Sequence, residues 1–198
     1  MKIQKEDGKL EVRQSWDDAT NQLMCLGTYT RIDDLVPNDF RGFFENWDTL
    51  GVAANDTVES IEKVGSDNGV DTMKVIAKAP WPISKRIMFP TRYLDFNEEE
   101  GHMMLFSSTG NEHIMADPAI YLEKERKKMV LATVFFSGWW MKPIKDESGA
   151  DVATELLYFS QVDNGGTIPV FIQNSVFPKS TCYAIESLIK WARANKAG

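Results

Sequence analysis

The sequence predicts an α+β fold in which one long C-terminal helix lies across a curved antiparallel sheet. A succession of short runs rich in β-branched and aromatic residues, joined by brief polar turns, calls for neighbouring strands paired antiparallel. Only the last segment is strongly helical. No repeat, low-complexity tract or Pro/Ser-rich linker divides the 198 residues, a length that suits one domain, so residues 1–198 are read as a single unit.

Taken in order, "KLEVRQSWD" and "NQLMCLGTYTRI" flank the polar "DDAT" and read as a hairpin. Between Pro37 and Trp47, Phe40, Phe43, Phe44 and Trp47 recur at helical spacing behind a cap at Asn38 or Asp39. The runs "TVESIEKVG", "VDTMKVIAKAP", "RIMFPTRYLDFN", "GHMMLFSSTG", "KMVLATVFFSGWWMKPI" and "VATELLYFSQVD" follow as strands, with "SDNG", "NEEEG" and "KDESGA" as turns. The mixed-sign "EKERKK" at 123–128 reads as a solvated approach to a strand. In the final segment Ala184, Ile185, Leu188, Ile189 and Ala192 form one apolar face. Pro178 lies where that helix should already be running and predicts a kink or break near Phe177.

Composition excludes several functions. A net charge of −7 with dispersed basic residues disfavours nucleic acid. Apolar runs such as "MVLATVFF" fall far short of the roughly 20 residues of a membrane helix. Met1 is followed by "KIQKEDGKLEV", without an apolar signal region, so a cytoplasmic location is the expectation. Cys25 and Cys182, and His102 and His113, have neither redox nor zinc spacing, so neither a disulfide framework nor a metal nor a cofactor is expected.

The chemistry for catalysis is thin. His102 and His113 read as surface histidines, Ser107, Ser108 and Ser160 lack a nucleophile-elbow context, and Gly165–Gly166 lacks the Lys-Ser/Thr of a phosphate loop. Arg86 and Arg92 share a strand face beside Met88 and Pro90. An arginine in apolar company is either paired with an acid or meets a ligand. The bulky residues Met103 to Phe106, Phe135, Phe136, Trp139, Trp140, Phe171, Phe177 and Tyr183 fit a solid core and a ligand pocket equally well. Polar alternation favours Met73, Val75 and Ala77, and Leu156, Tyr158 and Val162, on inner faces, whereas both faces of 130–142 are apolar.

Three stretches together resemble a known family. "KAPWPISKR" at 78–86, "GWWMKPI" at 138–144 and "QVDNGGTIPVFIQNSVFPKS" at 161–180 are similar, in order and spacing, to segments of the START domains, the steroidogenic acute regulatory protein-related lipid transfer domains, and "FENWDT" at 44–49 fits a further one. The resemblance spans residues 8–195 and implies the helix-grip fold, a U-shaped antiparallel sheet whose inner face and C-terminal lid enclose a hydrophobic tunnel for one lipid. It implies a soluble monomer, peripheral to membranes, that binds a phospholipid or sterol and transfers or presents it. The broader superfamily includes cyclase-like enzymes acting on hydrophobic substrates, which stands as the alternative beside a lipid-sensing module without transfer.

The tunnel residues expected on this basis are Arg92, Met73, Val75, Met104, Phe106, Val134, Phe136, Trp140, Tyr158, Phe171, Asn174, Phe177 and Ile185, with Gly165, Gly166 and Pro178 as lid hinges. Arg92 matches the family's tunnel arginine, but Met73 stands where the sterol-binding type has an acid, which leaves Arg92 to meet a lipid phosphate or a carboxylate elsewhere. Ile87 replaces the usual Asp after Arg86, and the N-terminal helix is absent or reduced. Ile114 and Met115, at the tip of the 109–118 loop, either dip into a membrane surface or pack on the lid.

Overall fold

The computed structural model describes residues 2–5, 9–17, 22–79 and 82–196. Residues 18–20 of the "DDAT" turn and Pro80–Trp81 lie outside the described residues. The strands are β1 (Lys2–Lys5), β2 (Leu10–Asp17), β3 (Gln22–Ile32), β4 (Val58–Asp67), β5 (Val70–Ala77), β6 (Arg86–Met88), β7 (Thr91–Asn97), β8 (Gly101–Ser107), β9 (Val130–Leu131), β10 (Thr133–Lys145) and β11 (Asp151–Asp163). They form one curved sheet in the order β1-β2-β3-β11-β10-β8-β7-β5-β6-β9, with β4 added on β5. Every pairing is antiparallel except the short parallel contact of β6 with β9.

The helix expected over Pro37–Trp47 is divided. A 3-10 turn at Pro37–Phe40 leads into α1 (Arg41–Glu45), and α2 (Trp47–Ala54) starts after Asn46. Asp39 accepts a hydrogen bond from the Val36 amide at 2.9 Å, which anchors the first turn. Phe40, Phe43 and Phe44 are buried, as their spacing requires. Short helices α3 (Glu112–Ala116) and α4 (Glu123–Lys128) cross between β8 and β9.

Helix α4 corrects the reading of "EKERKK" as a strand approach. Acids in its first turn and bases in its last suit the helix dipole, and the Glu125 carboxylate accepts from the Leu122 amide at 2.9 Å. Glu125 is itself buried, paired with the buried Lys74 at 2.7 Å. Ile114 and Met115 of α3 pack on the cluster of Ile87, Phe89 and Tyr121, against the sheet rather than on the lid or outward.

Helix α5 (Val170–Asn195) runs unbroken through Pro178, so the predicted break is absent and the proline is carried inside the helix. What holds it is the stretch from Cys182 on: Cys182, Ile185, Leu188, Ile189 and Ala192 are each at most 3% exposed. Gly27 on β3 lets the helix approach, because a side chain there would occupy the space of the Ile185 and Thr181 methyls. Arg193 adds a bidentate pair to Asp34 at 2.7 and 2.9 Å. No helix among the described residues is long and apolar enough to cross a membrane.

Candidate functional site

Between the concave face of the sheet and α5 lies a cavity of about 380 Å³. Its floor includes Leu23 and Cys25 on β3, Val75 and Ala77 on β5, Phe106 on β8, Val134, Ser137 and Trp139 on β10, and Tyr158, Ser160 and Val162 on β11, with Val58 of β4 and Arg86 and Met88 of β6 at its edge. The roof is the inner face of α5, including Ile172, Val176, Phe177, Thr181 and Ala184, and one side is closed by Phe43 and by Trp47 of α2. Aromatic rings are packed in pairs along the wall, with Trp139 on Tyr158 at 4.4 Å and Trp47 on Phe106 at 4.5 Å between centroids. At one end the loops carrying Thr57 and Lys78, both exposed, meet the loop after β11.

Of the residues expected in the tunnel, Val75, Phe106, Val134, Tyr158 and Phe177 line this cavity. Met73, Met104 and Ile185 do not; they are at most 1% exposed and belong to the solid core around it. Phe136 and Trp140 lie on the opposite face of the sheet. The ladder between β10 and β11 slips between Val134 and Phe136, where two residues of β10 oppose one of β11, so the inward parity passes from Val134 to Ser137 and Trp139. Phe136 is 49% exposed and stacks on Phe159 at 4.5 Å, while the Trp140 indole donates to the Glu100 carbonyl at 2.9 Å. Asn174 is occupied outside the cavity, its side-chain oxygen accepting from Gln14 at 3.0 Å. The Phe171 side chain lies outside the described residues.

Arg92 does not line the cavity. Antiparallel register sets it directly opposite Asp71, to which its guanidinium donates at 3.0 Å, and a second donor reaches the Phe44 carbonyl at the end of α1 at 3.3 Å. Its partner is thus Asp71, a carboxylate elsewhere than position 73, which is one of the two partners the sequence leaves open. Partial burial alone would raise the Asp71 carboxyl, but hydrogen bonds from Lys63, Ser66 and Arg92 outweigh it and hold the group below the usual carboxylate range.

The arginine in the cavity wall is Arg86, only 6% exposed. It donates to the Asn164 carbonyl at 2.9 Å, to the Gly165 carbonyl at 3.2 Å and to the Ser84 carbonyl. Three backbone oxygens thereby satisfy the Arg86 guanidinium, which clamps the turn that leads into α5. Both glycines of that turn have positive φ, 61° at Gly165 and 62° at Gly166. A side chain at Gly165 would collide with the Leu131 carbonyl, whereas at Gly166 it would meet only ordinary contacts.

Sequence reasoning missed Cys25, Ser137, Ser160 and Thr181 because small polar residues carry no apolar signal. Only Ser160 had a clue, its place two residues beyond Tyr158 on the same strand face. Burial pushes the Cys25 thiol up to about 11, against a hydrogen bond with Thr181. Burial likewise raises the Tyr158 phenol, despite hydrogen bonds with Ser137 and Ser160. Contrary to the surface reading, His102 is buried at 4% exposure, edge-on to Phe96 at 5.2 Å, and burial together with the Arg41 charge lowers its pKa.

No family model and no curated protein matches this sequence. Solved structures match its fold over nearly the whole chain. Human StAR-related lipid transfer protein 5 is 16% identical with a TM-score of 0.74, over 98% of this chain and 86% of that one. Human STARD10 is 13% identical with a TM-score of 0.75, over 97% and 72%. A StAR-related lipid transfer protein fragment from Xanthomonas axonopodis is 14% identical with a TM-score of 0.68, over 98% of both chains. At these identities the shared property is the architecture: this chain has the helix-grip fold of the StAR-related lipid transfer domains.

Proposed function

We propose that this chain binds one lipid molecule in the cavity beneath α5 and transfers it between membranes, with the first half of α5 and the Gly165–Gly166 turn moving to admit and release it. The observation that carries this reading is the cavity itself, a largely apolar chamber of about 380 Å³ roofed by a helix that is firmly packed from Cys182 on and carries no buried side chain over residues 172–177. Ligand pockets fall at roughly 300–1,000 Å³ and are mostly apolar with a few placed polar groups. The structures that share this fold include proteins named for lipid transfer. Val75, Phe106, Val134, Tyr158 and Phe177 are the proposed contacts retained from the sequence, joined by Trp47 and Trp139.

Burial of the ligand supplies the affinity, at about 0.8 kcal/mol per methylene removed from water. The cavity's Cys25 and Tyr158 are both held protonated at neutral pH, which suits holding a guest rather than moving protons. Native mass spectrometry of the protein purified from cells, followed by lipid extraction and a vesicle-to-vesicle transfer assay, tests the reading. One lipid per chain and catalysed transfer are expected. A chain that carries no lipid and binds none across a sterol and phospholipid panel would overturn it.

A further inference from the structure

The inner face carries a polar island whose chemistry specifies more than "lipid". Cys25, Ser160 and Ser137 are direct cross-strand neighbours on β3, β11 and β10, and all three line the cavity. Tyr158, one inward position along β11, shares hydrogen bonds with both serines, and Thr181 descends from α5 to bond Cys25. The Ser137 hydroxyl already donates to the Phe159 carbonyl at 3.2 Å, so toward Tyr158 it can only accept. The island is therefore a set of neutral hydroxyl and thiol groups with hydrogen-bond acceptors at each and donors at all but Ser137, sunk between Trp139, Val134, Phe106 and Ala184.

Charge lies elsewhere. The only cations of the cavity wall among the described residues are Arg86 and Lys78. Arg86 is bound at Asn164, four residues beyond Ser160 and so about 13 Å further along the extended chain. Lys78 is exposed on the loop at that same end. The wall includes no carboxylate among the described residues. An ionised group at the island would be desolvated without a partner, which is the expensive way to bury a charge. A hydroxyl, which both donates and accepts, meets its match in Tyr158, Ser160 and their neighbours.

Resting on the lipid-binding reading, we infer that Tyr158, Ser160, Ser137, Cys25 and Thr181 form the subsite for the ligand's polar group, and that this group is an uncharged hydroxyl, as in a long-chain alcohol or a sterol. The ligand then lies with its hydroxyl at mid-sheet under Thr181 and its apolar body along Trp139, Phe106 and Phe177.

Matched probes test this. Hexadecan-1-ol, its methyl ether and palmitate at pH 8 share one chain and differ only at the head, and a sterol with its 3-methyl ether repeats the comparison. By calorimetry or competition, the alcohol is expected to bind at least about tenfold more tightly than the ether, the scale of one buried hydrogen bond. In Tyr158→Phe, which keeps the ring on Trp139, and in Ser160→Ala, the alcohol should lose about that factor while the ether is unchanged. The two variants guard against one of them misfolding. Equal affinities for alcohol and ether, or tighter binding of palmitate, would overturn the hydroxyl subsite while leaving the lipid cavity standing. Failure of every probe to bind would overturn both.

Discussion

Asp71 is the residue on which the buried Arg92 depends. Its side chain is 17% exposed and that of Arg92 is 9%, so removing the carboxylate strands a guanidinium with one carbonyl for company. Asp71→Ala should destabilise the fold by about 3 kcal/mol, readable in a denaturant titration, whereas surface pairs such as Lys127 with Glu123 should give well under about 1 kcal/mol. His102 gives a second expectation. Its folded pKa is lowered, so the unfolded chain binds more protons at mildly acidic pH, and stability present above about pH 6.5 is lost as pH falls below it. Replacing His102 by Phe should flatten stability against pH between 7 and 5, while the depressed carboxyls of Asp34 and Asp71 act only at lower pH, near and below about 4. Neither residue's role was legible. The partner of Arg92 is fixed by the register of β7 on β5, a long-range pairing that local sequence does not encode. The burial of His102 follows from its sharing the inward face with Met104 and Phe106, although acids precede it in the chain.

At the scale of elements, most strands and the anchored face of α5 were legible because period-2 and period-3.6 patterns are local. One inserted residue in β10 was not. It turned Phe136 and Trp140 outward and brought Ser137 and Trp139 inward, and no apolar pattern marks it because both faces of that run are apolar. Pro178 was read as a divider of α5, yet the helix persists: flanking packing outweighs one lost hydrogen bond and the ring clash. The turn before α5 separates two effects of an added methyl. Gly166→Ala should cost only the backbone strain of a positive φ, about 1–2 kcal/mol. Gly165→Ala adds a collision with the Leu131 carbonyl and disturbs the grip of Arg86, so it should be the more destabilising of the two and should release bound lipid faster. Thermal unfolding and lipid off-rates measured on the pair check the ranking.

Across the whole molecule, α5 is held unequally. From Cys182 on, one face is buried and the end is tied to Asp34 by Arg193, while over residues 172–177 no side chain is buried, with Gln14 gripping Asn174. Amides of 172–177 should therefore exchange with deuterium faster than those of 184–192 in the lipid-free protein, and added lipid should narrow the difference. Equal protection along the helix would exclude an opening confined to the first half. The cavity has a mechanical consequence as well. A chamber of about 380 Å³ is missing volume whenever nothing fills it, and unfolding under hydrostatic pressure is driven by the elimination of such voids. Loaded and stripped protein should therefore part company more sharply in a high-pressure cell than on a heating stage, and the volume of unfolding becomes a measure of how much of the chamber a guest fills.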